Sequence, residues 1–352
     1  MADPIIGLQG ATAAANTTYS GPSLPSAVDT FYNRGLLSRA LPFLVYDKFG
    51  QSKPMPTNNG NKVKFRRYNS LSAITTTLTD GVTPTAQKIT VTDYECSLSQ
   101  MGGFVVITDN CDVLSIDPVA TEFNDILSEQ AGESLDLAYR DILHGGVTSY
   151  FLASGVATPN LIATAIQLND VKGIRGALMK AKGKTFANLM KAGSGVGTSP
   201  LPACYIAVGH TDCLSDLEAL DGWLPVHKYS SPESALEYEV GSVGNVRFIL
   251  TQQAPILINS GAAVGATGLI STGGSNIDIY KWLFMAQDSY GKIELSGKTL
   301  ESIRKPFGAG DDPLNQRSTM GWKAYIACKI VQDAWIIEYQ SGCKAYGKKL
   351  SK

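Results

Sequence analysis

The chain has 352 residues, a formal net charge of -1 and only 17% charged residues, against 35 glycines. Near-neutral charge excludes a protein held to nucleic acid or an anionic membrane by its overall field, and a charged fraction below the roughly 25% usual for soluble domains suits a surface covered by partners. At about 100–200 residues per domain the length allows one large core or two modest ones, and two lobes are expected.

Residues 1 to 27 are small and polar, ATAAANTTYSGPSLPS among them, and cannot close a core, so an arm or tail is expected. The start, MADPIIGLQG, lacks the basic and apolar regions of a secretory signal, and no run approaches the ~18 apolar residues of a membrane span. A soluble, cytoplasmically made polypeptide is expected, and Asn16-Thr17-Thr18 has no glycosylation meaning in that setting. Apolar residues cluster from Phe31 to Phe49, suggesting a short helix broken near Pro42 and then an extended run.

Residues 65 to 92 read FRRYNSLSAITTTLTDGVTPTAQKITVT, with Asp80 the only charge between Arg67 and Lys88. Val63 and Phe65 alternate with Lys62, Lys64 and Arg66, and Ile89 and Val91 with Thr90 and Thr92, the period-two signature of strands. Gly81 and Pro84 mark a turn, so a hairpin is predicted. An isolated hairpin buries too little apolar surface to offset its ordering entropy. Something else must cover it.

GGFVVITD (102 to 109) reads as a buried strand, and the following DPVATEFNDILSEQAGESLDLAYRDILHGG as a helix over about 117–145. Asp117 can cap it, Pro118 suits its first position, and Gly145 and Gly146 supply the stop. Val119, Phe123, Ile126, Ala131, Leu135, Ala138 and Ile142 fall near one stripe. Residues 168 to 292 mix elements in an α/β manner: helices at DVKGIRGALMKAK and TDCLSDLEAL, strands at CYIAVGH, VRFILTQQ and YKWLFMAQ, and Gly-rich loops at 193 to 199 and 260 to 275. STMGWKAYIACKIVQDAWIIEY is predicted to form a long strand pair returning to the first lobe. The tail, KAYGKKLSK, is locally basic through Lys344, Lys348, Lys349 and Lys352, as a solvated terminus is.

Chemistry is sparse. The chain has three histidines, of which His144 sits at the predicted helix end, where the dipole favours a cation. Cys204, His210, Asp212 and Cys213 contain one zinc-like pair but lack the second, and a strand-to-helix junction capped by Asp212 is the simpler reading. Gly183-Lys184-Thr185 resembles the end of a phosphate loop, but Leu178 stands where the motif needs glycine, and GSGVG (193 to 197) follows a helix instead of a strand. Asp109, Asp112 and Asp117 lack the spacing of a calcium loop, and Asp311 with Asp312 lies in a turn context. Cys96, Cys111, Cys204, Cys213, Cys328 and Cys343 form no CxxC pair and are expected to be reduced and mostly buried. No enzyme activity, cofactor or metal is expected.

Several segments resemble the tailed-phage major capsid proteins of the family named for the phage N-four capsid protein: LLSRALPFLVYDKFGQSKPMP, KVKFRRYNSL, LTDGVTPTAQKITVT, ILSEQAGESLD and DPLNQRSTMGWKA, spread over about 31 to 337. The resemblance implies an α+β fold of the Hong Kong 97 type. It would comprise an N-terminal arm (1–40), an extended β-hairpin loop (61–94) and a peripheral domain (41–60, 95–167 and 293–345) carrying the long spine helix. An inserted α/β axial domain (168–292) and a basic C-terminal tail (346–352) complete it.

It also implies self-assembly, through hexamers and pentamers, into an icosahedral shell around double-stranded DNA, in the virion, after synthesis in the bacterial cytoplasm. DNA is enclosed without sequence-specific binding, and no membrane is involved. The missing cover for 65 to 92 is then another copy of the chain, and hydroxyl-rich, charge-poor strands lower the desolvation cost of that contact. Arg66, Arg67, Asp80 and Lys88 are the expected subunit-interface residues, Arg66 and Arg67 toward neighbouring carboxylates and Asp80 toward a basic group. Implied partners are a portal protein, a separate scaffolding protein, since the arm is short, and a decoration protein. The loop has no lysine between Lys64 and Lys88, so no isopeptide link is carried over. Two other readings stay open: an encapsulin-like compartment shell, and an α/β enzyme with its site near His210.

Overall fold

The computed structural model describes residues 44–344 apart from 57, 59, 70, 110–118, 187–202, 230–235, 266–267, 296–299 and 309–312. The expected arm (1–40), Cys111, Asp112, Asp117, the 193–197 run, Asp311, Asp312 and the 346–352 tail lie outside the described residues.

The fold is α+β. The described strands are β1 (Gln51–Met55), β2 (Lys62–Tyr68), β3 (Val91–Ser97), β4 (Ser99–Thr108), β5 (Tyr150–Leu152), β6 (Tyr205–His210), β7 (Leu224–Pro225), β8 (Glu239–Val243), β9 (Val246–Thr251), β10 (Ile256–Leu257), β11 (Ile279–Met285), β12 (Tyr290–Leu295), β13 (Leu300–Lys305), β14 (Arg317–Ile326), β15 (Cys328–Ile330) and β16 (Ile336–Ser341). The described helices are α1 (Val119–Gly146), α2 (Leu168–Lys180) and α3 (Leu214–Glu218). They build an eight-stranded sheet ordered β5-β16-β11-β6-β9-β8-β7 with β10 on β11, three-stranded sheets β1-β12-β15 and β13-β14-β4, and the two-stranded ribbon β2-β3.

The large sheet is apolar on both faces because it is covered twice. Ile206, Val208, Ile249, Leu283 and Met285 join the core beneath α1 with Leu127, Leu135, Tyr139 and Leu143. The alternate residues Tyr205, Ala207, Phe248, Trp282 and Phe284 join Val171, Ile174 and Leu178 of α2. Near-continuous apolar runs such as YIAV and WLFM follow from that double burial. Gly244 and Asn245, both at positive φ, turn β8 into β9 in the conformation that tight hairpins require.

Three sequence expectations need correction. The terminal strands do not pair with one another: β14 lies between β13 and β4 and β15 on β12, but β16 enters the large sheet between β5 and β11. That sheet thus draws β5 and β16 from outside 168–292. Second, β4 is not a buried strand. Ile107 is its one buried residue, and Phe104 is 74% exposed, because α1 covers one face of β13-β14-β4 only. Third, one member of the expected α1 stripe lies outside the core: Ile126 is 59% exposed, whereas Ala131 and Leu135 are buried, Phe123, Ala138 and Ile142 pack half-buried against them, and Asn124, Leu127, Ser128, Asp136, Tyr139 and Leu143 widen the buried seam.

Two polar contacts tie α1 to its surroundings. Asp136 Oδ1 accepts N–H bonds from Val45 and Tyr46, both at 2.8 Å, fixing the incoming chain to the helix. Burial pushes the Asp136 carboxyl up to about 6 against those two bonds. At the helix end, His144 Nδ1 lies 2.7 Å from Glu338 Oε2 on β16, and Lys281 Nζ 3.1 Å from Glu338 Oε1. Burial alone would raise the Glu338 carboxyl, but His144, Gln340 and Lys281 outweigh it and hold it below the usual range. His144 is structural, as its position at a helix C-terminus suggested.

Candidate assembly interface

The ribbon β2-β3 is a separate two-stranded sheet that packs on a small core shared with β1 and β12. Phe65, Cys96, Met55, Ile293 and Ala327 form that core. Gly291 is required there, since a Cβ on it would stand 2.5 Å from the Phe65 ring. Opposing strands carry opposite charges: Arg66 Nε donates to Asp93 Oδ1 at 2.9 Å, and Lys64 Nζ lies 3.3 Å from Glu95 Oε1. The hydrogen bond to Asp93 raises the Arg66 pKa, and the same bond lowers that of Asp93. Arg67 pins the ribbon to the body. Its Nη1 donates to Val331 O at 3.1 Å and to the Gln332 side chain, Nε donates to Asn69 Oδ1 at 3.2 Å, and the guanidinium lies over Tyr94 at 5.5 Å.

Beyond Tyr68 the hairpin prediction holds only in part. The ladder stops there, and β3 begins at Val91, after Ile89. Every residue from 71 to 90 is exposed, with neither strand nor helix among them. Asn69 N donates to Thr90 O at 3.0 Å, Gln87 Nε2 to Ser72 O at 3.1 Å, and Val82 N to Thr79 O at 3.2 Å across a turn with Gly81 at positive φ. Leu71, Ile74, Leu78, Val82 and Ile89 are all more than half exposed. Asp80 and Lys88 make no ion pair or hydrogen bond among the described residues. Of the four expected interface residues, Arg66 and Arg67 are thus occupied within their own chain, and Asp80 and Lys88 stand at the loop surface.

The alternative site near His210 is put to structural use. His210 Nδ1 accepts from Asp212 N at 3.1 Å, so His210 caps the junction where Asp212 was expected to. Asp212 Oδ2 instead accepts from Tyr280 Oη at 2.9 Å. Burial lowers the His210 pKa, with Asp212 opposing. Cys213 is fully buried, and burial followed by Cys343 pushes its thiol up. Among the described residues no group of three or more His, Cys, Asp or Glu is placed to hold a metal ion, and no described helix is long and apolar enough to cross a membrane. The described cysteines are buried and form no disulfide with one another.

Sequence reasoning missed the open face of β13-β14-β4. In register across it lie Ile303, Gly321 and Phe104, flanked by Lys305-Thr319-Val106 on one side and Glu301-Lys323-Gly102 on the other. All of these but Glu301 line a cleft of about 830 Å³ with Arg317. A Cβ on Gly321 would meet Phe104 Cβ at 2.8 Å and Gly103 O at 2.7 Å, so glycine keeps the cleft floor open. The signal was present as GGF opposite MGW, two glycine-aromatic runs that do not fit a two-sided core strand.

Three solved structures resemble this geometry over most of their length. A chain of the capsid of Ralstonia phage GP4 matches with TM-score 0.58 and 15% identity, covering 85% of this chain and 88% of that one. A chain of the cyanophage Pam1 capsid matches with TM-score 0.57 and 13% identity over 97% of this chain and 100% of that one. A capsid chain of the cyanophage P-SCSP1u matches with TM-score 0.55 and 12% identity over 86% and 89%. No protein-family model matches the chain, and no curated protein matches its sequence. At such identities the likeness is one of fold: the chain has the fold of these phage-capsid chains.

Proposed function

We propose that the chain is the major capsid protein of a tailed double-stranded DNA bacteriophage, a structural and non-catalytic subunit of the virion shell. The observation that carries this reading is the near end-to-end fold match to phage-capsid chains, 97% of this chain against 100% of the Pam1 chain. The exposed 71–90 segment supports it independently, since a segment with no core of its own needs cover from outside the chain.

On this reading the fold is of the Hong Kong 97 type. Residues 1–40 are the arm, 61–94 the extended loop, and α1 with β13-β14-β4 the heart of the peripheral domain. The large sheet with α2 and α3 forms the axial domain, completed by β5 and β16. Copies associate as hexamers and pentamers in an icosahedral lattice, where weak repeated contacts sum through multivalency. Portal, scaffolding and decoration proteins are its partners, and assembly takes place in the bacterial cytoplasm. Arg66 and Arg67 stiffen the loop base, and Asp80 and Lys88 are charges offered to the adjoining copy.

Electron microscopy of the expressed chain, with and without neighbouring phage genes, tests the proposal. Closed shells or capsomer sheets are expected, and deletion of 72–86 should leave a folded protein that forms neither. Shells that form unchanged without the loop would remove its assigned role.

A further inference from the structure

We infer that Cys213 and Cys343 are a poised redox pair, which exchange with a small-molecule disulfide joins into a covalent staple between α3 and the end of β16. Cys213 closes the turn Thr211–Cys213 that leads into α3, and Cys343 follows β16. Both side chains are fully buried in one core cluster with Leu217, Ile277 and Tyr339. The Cys213 thiol is hydrogen-bonded to Cys343. Cys343 Sγ in turn donates at 3.3 Å to Asp212 O, the carbonyl of the peptide that enters Cys213. The backbone holds the pair in place: Lys344 N donates to Asp216 Oδ2 on α3 at 2.9 Å, Ile270 N to Cys343 O at 2.8 Å, and Gly342 N to Thr164 O at 2.9 Å.

A single buried cysteine acts as a small, inert hydrophobe. Two thiols already in contact differ, because a disulfide needs its sulfurs about 2.0 Å apart on backbones about 4.4–6.8 Å apart, and that approach is here nearly complete. Cys343 lies beyond the last strand, so local opening of that segment brings it to the reagent first. Its thiolate attacks one sulfur of the reagent, forming a mixed disulfide and releasing one thiolate. The Cys213 thiolate then attacks Cys343 Sγ and expels the second. Both cysteine protons end on the two released thiols, and the reagent gains the two electrons that the cysteines lose. Burial pushes the Cys213 thiol up, so closure is slow, and the same burial shields the finished bond from reductants. On the shell reading, the reducing cytoplasm keeps the pair open and release from the cell lets it close; the pairing itself does not depend on that reading.

Incubating the full unassembled chain with oxidised glutathione at mildly alkaline pH, blocking the remaining thiols with N-ethylmaleimide and mapping the peptides by mass spectrometry tests the pair. The expected product joins Cys213 to Cys343. Because the link closes a long loop, Tm should rise by about 3–7 °C and fall back on reduction with dithiothreitol. The incubation is repeated on warming short of unfolding, which separates slow access from wrong geometry. Thiols that stay free even then, a glutathione adduct that persists on Cys343, or a link between other cysteines would overturn the pair. A Cys213–Cys343 link that leaves Tm unmoved would overturn the staple. None of these outcomes bears on shell formation, which electron microscopy reads separately.

Discussion

Asp136 and Glu338 are both buried carboxylates, yet they respond to pH with opposite sign. Glu338 is held charged by His144, Gln340 and Lys281, so its lowered pKa gives stability that is lost as pH falls below the ordinary carboxylate range. Asp136 has no cation in hydrogen-bond contact; it accepts two N–H bonds through Oδ1, and Oδ2 is buried without a partner. Its pKa of about 6 lies above the ordinary value near 4, so the folded chain binds the extra proton between those limits and loses stability as pH rises from about 4 to 6. Asp136→Asn keeps an acceptor for Val45 and Tyr46 but removes the charge. The stability of wild type relative to this variant should fall by roughly 2–3 kcal/mol between pH 4 and pH 7, read from urea midpoints of the unassembled chain. Parallel pH profiles would show that Asp136 does not ionise on folding-relevant terms. Neither carboxylate was legible as a paired group in the sequence, because their partners lie 91 and 194 residues away.

At the scale of elements, α1 was legible in existence and length, and in phase except at Ile126. Its 28 residues rise ~42 Å at 1.5 Å per residue, and its end at Gly146 fits the glycine stop. The apolar pattern missed one side of the seam because Asn124, Ser128 and Asp136 are buried despite their polarity. Ser128 Oγ donates to Asn124 O at 2.6 Å, and Asp136 serves the chain at 45–46, so each polar group is used where periodicity reads a gap. The exposure of Ile126 makes a contrast measurable by chemical denaturation. Leu135→Ala should cost about 2–5 kcal/mol as a buried truncation, and Ile126→Ala should stay within about 0.5 kcal/mol as a surface change. Similar losses from both would return Ile126 to the seam. Strands covered on both faces, such as β6, β9 and β11, were legible because unbroken apolar runs have few other homes. The half-open β4 resembled them in composition and differed only in what lies above it.

At the scale of the whole molecule, what composition alone could reveal was a deficit. A stretch too poor in apolar bulk to form a core is a local property, so the incompleteness of 69–90 was visible without any partner strand being known. Its partial lack of ladder was not, because alternation at Ile89 and Val91 does not say where pairing ends. Nor did the sequence show that β16 joins the large sheet, since strand choice there depends on contacts with β5 and β11, well upstream in the chain. The same deficit sets an expectation for dynamics. Few backbone N–H groups between 71 and 90 have a partner among the described residues, the Val82 to Thr79 bond being one that does, and unpaired exposed amides exchange without any opening step. Hydrogen exchange should therefore run at the rate of an unfolded peptide over 71–90 in the free chain, while β6, β9 and β11 resist until global unfolding. If the loop is covered in the shell, protection over 71–90 should rise at least about tenfold on assembly, with little change in those central strands. Equal exchange of the loop in free and assembled chains would mean that assembly leaves it as bare as it found it, and that its apolar residues serve no contact between copies.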